Sequence, residues 1–197
     1  MSNAFILASA SPRRRKLLGE MGLTFSVVPS DIDEEYHQGE SVRDHVMRLS
    51  REKAQAVSTG NPDAWVLGAD TIVIIDGKVL GKPGSPEEAR AMLKSLSGRE
   101  HRVITGFAIV KKSMHIIIND AVESLVVFKT LLEDEVEWYV RTDEPYDKAG
   151  AYAVQGKAAF FIKEIRGSYT NVVGLPLCEV VSALKGVGAV AFQKGRL

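Results

Sequence analysis

The chain has a single cysteine, Cys178, so an intramolecular disulfide is impossible. It stands in the apolar stretch Gly174–Leu184 and reads as a small buried hydrophobe rather than a nucleophile, with no histidine placed to serve it. Excess charge of either sign is also missing, since 25 Lys and Arg balance 25 Asp and Glu. That excludes a sequence-independent nucleic-acid binder, which needs a basic face to neutralise phosphates. It leaves room for a small phosphorylated ligand, for which a few local cations suffice. No apolar run is long enough to span a bilayer. The segment Met1–Ala10 has no basic region followed by a long apolar one, so it does not read as a secretory signal, and a cytoplasmic protein is expected. The histidines His37, His45, His101 and His115 show no metal-ligand spacing. A P-loop, a dinucleotide fingerprint and a Gly-x-Ser-x-Gly elbow are absent as well.

What is present is the composition of an ordinary globule, at a length that suits one domain on a soft prior of roughly 150 residues each. Phe5–Ala8 predicts a buried strand. Ser11-Pro12 then predicts a helix to about Met21, because Ser caps well and Pro suits the first helical position; Gly22 ends it. Thr24–Val28 reads as a strand and Pro29–Glu40 as an acidic loop. Ser41 caps a helix to about Val57, with Val42, Val46, Leu49, the Lys53 stem and Ala56 on one side. Trp65–Gly68 and Thr71–Ile75 read as two β runs, followed by an Asp76-Gly77 turn. Further on come a helix Pro86–Leu96, paired strands Val103–Val110 and His115–Phe128, and a helix Glu133–Arg141. A strand Ala158–Ile165 and a closing helix Leu175–Leu184 complete the reading. The pattern implies an α/β fold with a mixed twisted sheet and flanking helices. It is expected as one domain, 1–197, with a cleft between two lobes.

Six segments carry chemistry. In Ser9-Ala10-Ser11-Pro12-Arg13-Arg14, small residues leave a strand and enter a Ser-capped helix whose free amides form an anion site. Ser9 and Ser11 add hydroxyls. Arg13 and Arg14 add permanently charged forks at the positive end of the helix dipole, an arrangement that calls for an anion. In Gly68-Ala69-Asp70-Thr71, an Asp at an apparent strand break is either a turn former or a general base or metal ligand. The acidic run Asp31–Glu35 could ligate magnesium or manganese, and the sequence gives no register for choosing among its carboxylates. Lys53 falls on the apolar side of its helix, where it either snorkels or faces a cleft. Lys82, between Gly81 and Pro83, fits a fixed phosphate contact or an ordinary turn. Glu144–Gly156 reads as a long structureless loop with Tyr146, Tyr152 and Gln155, the ring-plus-amide kit that reads a nucleobase. Gly167–Pro176 places polar groups ahead of the last helix. Together these describe a nucleoside triphosphate site.

In order and spacing, these motifs resemble the Maf family from Ile6 almost to the C-terminus. The resemblance also runs through Arg51-Glu52-Lys53-Ala54, Gly81-Lys82-Pro83, Ser97-Gly98, Thr105-Gly106, Asp147-Lys148-Ala149-Gly150, Gln155-Gly156 and Val173-Gly174-Leu175-Pro176. It implies an elongated α/β fold similar to inosine-triphosphate pyrophosphatases, a homodimer and a divalent cation, Mg2+ or Mn2+. It implies hydrolysis between the α and β phosphates of a free nucleotide, with neither nucleic acid nor membrane as partner. By motif, Asp70 would accept the proton of the attacking water, and Glu34 with Asp70 would bind metal. Ser9, Arg13, Arg14, Lys53 and Lys82 would hold phosphates. Arg13, Thr71 and Gln155 match the branch acting on dTTP and UTP. The 7-methyl-GTP branch resembles Ser-Pro-Trp-Arg, Asp-Gln and Glu-Gly at those motifs, which this chain lacks. The rival from another class is a non-enzymatic regulator of septum formation.

Overall fold

The computed structural model describes residues 4–191; the ends of the expected 1–197 domain, residues 1–3 and 192–197, lie outside the described residues. The first strand, β1 (Phe5–Leu7), is wholly buried. Ser11 then caps helix α1 (Pro12–Glu20), its hydroxyl accepting the Arg14 N–H at 3.4 Å. Strand β2 is only Ser26–Val27, shorter than the expected Thr24–Val28, and both its side chains are exposed. Helix α2 (Val42–Gly60) begins where Ser41 accepts the Asp44 N–H at 3.1 Å, and it runs past Val57. Its buried side uses Ala54 and Val57, whereas the expected Ala56 is exposed.

Strand β3 (Trp65–Ile75) replaces the two β runs expected on either side of Ala69-Asp70. The small residues there do not break the strand. They admit α2: a Cβ on Gly68 would stand 2.2 Å from Ser50 O and 2.8 Å from Ala54 N. Asp76 and Gly77 both have positive φ, as a two-residue hairpin turn requires. They lead into β4 (Lys78–Leu80), which the sequence reading did not anticipate and which pairs antiparallel with β3. Helix α3 (Pro86–Leu96) matches its expected bounds. Strands β5 (Glu100–Lys111) and β6 (Ile116–Phe128) are joined by a 3-10 turn, Lys112–Met114, with His115 left-handed after it. Helix α4 spans Glu133–Val140.

The segment from Glu144 departs most from expectation. It is ordered by 3-10 turns at Pro145–Asp147, Ala149–Ala151 and Lys157–Phe161, so the last strand, β7 (Ile162–Arg166), starts later than the expected Ala158. A short helix, α5 (Tyr169–Val173), was not expected; the Ser168 hydroxyl accepts the Asn171 N–H at 3.2 Å and starts it. Helix α6 (Leu177–Gly186) follows Pro176. Cys178 lies in the first turn of α6 and is exposed, not buried as its apolar neighbours suggest, because Val180, Val181 and Leu184 take the inward face.

The seven-stranded sheet has the order β2-β1-β3-β5-β6-β7, with β4 on β3. It is mixed, since β1 runs parallel to both its neighbours while β4 and β7 are antiparallel to theirs. By packing, the chain forms two compact units. Among the described residues, the first takes 4–70, Gly106–Ala121 and 174–191; the second takes Thr71–Thr105 and Val122–Val173. The first unit has a core around Ile6, Ala54, Val66 and Ala108. The second is cored by Leu93, Leu96, Val126, Phe128, Tyr139 and Phe161.

Candidate active site

In the first unit, the start of α1 builds a fixed cation. Ser9 leaves β1 with its hydroxyl accepting the Ser11 N–H at 3.2 Å and Arg14 Nη1–H at 3.1 Å. Arg14 Nε donates to the Gly174 carbonyl at 2.8 Å. The guanidinium is thus folded back over the helix start. Burial pushes it below its ordinary pKa, opposed by the charge of Asp70, lowered further by Arg13 and raised by Glu34. The cation and the two carboxylates therefore share one electrostatic neighbourhood, with Arg13 beside them and half-buried.

The carboxylates meet at a lysine. Lys53 Nζ lies 2.7 Å from Asp70 Oδ1 and 2.6 Å from Glu34 Oε1. Both Lys53 and Asp70 are buried, while Glu34 is largely open to solvent. The lysine on the apolar side of α2 is therefore no snorkelling stem. It is a buried charge compensated on both sides, which is what a buried charge requires. The notches that let α2 approach are Gly68 and Gly106; a Cβ on Gly106 would stand 2.2 Å from Val46 O.

A cluster that the sequence reading missed pins the acidic loop. Glu40 accepts Arg48 Nε–H at 2.7 Å and Nη2–H at 3.0 Å, and His45 Nδ1 lies 3.0 Å from it. Arg48 Nη2 also donates to the Glu35 carbonyl at 2.8 Å, next to Glu34. The Tyr36 ring stacks on His45 with centroids 3.5 Å apart and planes 5° from parallel. The Arg48 hydrogen bonds, then those of His45 and the His37 backbone, hold the Glu40 carboxyl at about 2 against the opposing effect of burial. A signal was available. His45, Arg48 and Glu52 recur at helical spacing on α2, so one face of that helix is charged and must find partners. This supplies the register that the acidic run alone did not.

The remaining candidates lie in the second unit. Thr71 Oγ1 is 2.9 Å from Thr105 Oγ1, whose hydroxyl donates to the Asn171 carbonyl at 3.2 Å. Asn171, fully buried, donates to Val103 O at 3.1 Å and Ser124 Oγ at 2.9 Å. Lys82 is exposed, and its turn is tied to the late loop by the Gly150 N–H, which donates to Gly81 O at 3.0 Å. Gln155 is half-buried in the bend before Gly156. The tyrosines of that loop do not form a stacking platform. Tyr152 is buried with its hydroxyl 2.7 Å from His101 Nε2, and Tyr146 donates to Val140 O at 2.7 Å.

The structure thus brings Ser9 to Arg14, and Glu34 to Lys53 and Asp70, within one unit. Thr71, Lys82 and Gln155 belong to the other. Among the described residues no group of three His, Cys, Asp or Glu could hold a metal ion. The pair Glu34 and Asp70 nevertheless fits magnesium or manganese, which bind through one or two carboxylates and complete their shell with water and substrate phosphate oxygens.

Residues 4–187 match the family model described as Maf-like protein. The chain belongs to the Maf family. Two relatives resemble this Maf chain over nearly all of both lengths. One, the dTTP/UTP pyrophosphatase of Syntrophus aciditrophicus (strain SB), is 57% identical across 98% of the chain and 94% of the relative. The other, from Geotalea uraniireducens (strain Rf4) and of the same name, is 51% identical across 94% and 95%. Among solved structures, the Staphylococcus aureus Ham1 protein aligns with 64% of the Maf chain and 72% of its own at 13% identity, with a TM-score of 0.46.

Proposed function

We propose that this protein hydrolyses dTTP and UTP to the monophosphate and pyrophosphate. The observation that carries the reading is the buried Asp70 carboxylate, 2.7 Å from Lys53 Nζ and electrostatically coupled to Arg14 at an amide-rich helix start. A carboxylate can take the proton of the attacking water, and fixed cations position and neutralise the polyphosphate. Water attacks the α-phosphorus, Asp70 takes its proton, and the bond to the bridging oxygen of pyrophosphate breaks. Ser9, Arg13, Arg14, Lys53 and Lys82 hold the phosphates. An ammonium has three donors, and Lys53 donates to Asp70 while pairing with Glu34, so a donor remains for a phosphate oxygen. Glu34 and Asp70 would hold the divalent cation, which supplies charge neutralisation on the phosphates when bound. Gln155 complements the N–H and carbonyl of a uracil or thymine edge, and Thr71 joins Arg13 and Gln155 in substrate choice. A homodimer in the cytoplasm belongs to the same proposal. No described helix is long and apolar enough to cross a membrane.

The test is release of pyrophosphate from UTP with magnesium or manganese. Asp70→Asn keeps the shape of the side chain and removes the base, and turnover is expected to fall roughly 10²–10⁴-fold. Undiminished turnover in that variant ends the base assignment. No release from any pyrimidine triphosphate by the intact protein ends the activity and favours a regulator.

A further inference from the structure

The segment that carries Gln155 is closed by one carboxylate. Both oxygens of Glu144 lie 3.0 Å from the Lys157 backbone nitrogen. Oε1 also accepts the Ala158 N–H at 3.3 Å and the Tyr139 hydroxyl at 3.2 Å. These amides open the Lys157–Phe161 turn, so the Glu144 side chain caps it across the loop. Gly156 fits beneath the carboxylate: its φ is +87°, and an added Cβ would meet the two oxygens at 2.8 and 2.9 Å. On the other side, Lys148 Nζ donates to the Glu144 carbonyl at 2.6 Å and pairs with Asp147. Gln155 stands immediately before this clamped glycine.

A primary amide reads a base edge only if its two ends are told apart. Rotating the Gln amide by half a turn exchanges donor and acceptor. Uracil and thymine present an N3–H donor beside a carbonyl acceptor, whereas cytosine presents an N3 acceptor beside an amino donor. A loose amide serves both edges, and a held one serves one. Charge-assisted bonds to several donors are the strong way to hold a loop.

We propose that Glu144 is the positioning residue for base selection: its carboxylate fixes the Gln155-Gly156 turn and thereby the backbone position and direction from which the Gln155 amide reaches the base edge. This rests on the reading of Gln155 given above. Glu144 touches no reacting atom.

The test compares kcat/KM for UTP, dTTP and CTP in the wild type, Glu144→Gln, Gln155→Ala and the double variant. Glu144→Gln is expected to lower the UTP-to-CTP ratio about tenfold, the scale of one net hydrogen bond, and to leave UTP against dTTP unchanged. The double variant should be no less selective than Gln155→Ala. An equal loss on all three nucleotides with the ratio intact, while Gln155→Ala destroys it, makes Glu144 merely structural and overturns the proposal alone. An unchanged ratio in Gln155→Ala overturns the base-reading role and this proposal with it. If Glu144→Gln does not fold, Tyr139→Phe removes one donor to the carboxylate and keeps the ring. A fall of about two- to threefold in the ratio then supports the proposal, and an unchanged ratio overturns it.

Discussion

Lys53 and Arg48 occupy neighbouring turns of α2 and solve the same problem in different ways. Each is an almost buried cation between two carboxylates, Lys53 with Asp70 and Glu34, Arg48 with Glu40 and Glu52. Removing one partner of such a cluster strands the others, which costs more than the pair contributed. Arg48→Ala is therefore expected to destabilise the fold by about 3 kcal/mol. It should also slow turnover, because the Glu35 carbonyl loses its donor and Glu34 its fixed place; denaturant melts and UTP kinetics check the two effects. His101 makes a pH prediction. Burial lowers its pKa to about 4, below the ordinary value near 6.5. The unfolded chain then binds the extra proton, so stability falls as pH drops from about 6.5 toward 4. At pH 5 this one group subtracts about 2 kcal/mol relative to neutral pH. Urea unfolding at pH 7 and pH 5 should show that loss in the wild type and a smaller one in His101→Gln. The histidine could be counted in the sequence but not placed, because its neighbours Phe128 and Tyr152 come from other elements.

At the scale of elements, two motifs turn out to be notches for one helix. Gly68 and Gly106 sit on β3 and β5, and both would drive a Cβ into the α2 backbone at 2.2 Å. That close approach brings Lys53 of α2 to Asp70 of β3. Gly106→Ala must push α2 away, at about 3 kcal/mol, so the melting temperature should drop by roughly 6–12 °C for a chain of this size. The same variant should lose activity even where it remains folded, and calorimetry with UTP kinetics on one sample separates the two effects. Helix starts were legible because they are local: Ser11-Pro12 and Ser85-Pro86 declare themselves within four residues. The continuity of β3 was not, because Gly68-Ala69-Asp70 has break-like chemistry until α2 is seen lying on it. The turns of residues 145–161 were hidden for a similar reason. The last of them, Lys157–Phe161, is capped by Glu144, distant in sequence from the amides it holds.

At the scale of the whole molecule, a formal charge of zero conceals a strongly structured distribution. The nearly buried cations Lys53 and Arg48 of α2 pair with Asp70 and with carboxylates of α2 and the acidic loop, while pairs such as Arg90 with Glu137 and Arg102 with Glu123 lie in the second unit. Family membership was legible because the ordered series of motifs is specific where each member is weak. For Glu40, His45 and Arg48 the helical spacing announced a charged face of α2, but their partners were not named by it, since none of those residues belongs to such a motif. The same distribution separates stability from metal dependence. Each unit has its own apolar cluster, and the Glu34 and Asp70 carboxylates are already satisfied by Lys53. A divalent cation entering with a nucleotide has no folding role to fill, in contrast to a structural metal whose binding energy is folding energy. Chelation with EDTA should therefore abolish pyrophosphate release from UTP while leaving the melting temperature within about 2 °C. That margin corresponds to less than ~1 kcal/mol for a chain of this size. A large drop in melting temperature on chelation would mean that the cation is built into the fold, and that the pairing of Lys53 with Glu34 and Asp70 is not what neutralises the site.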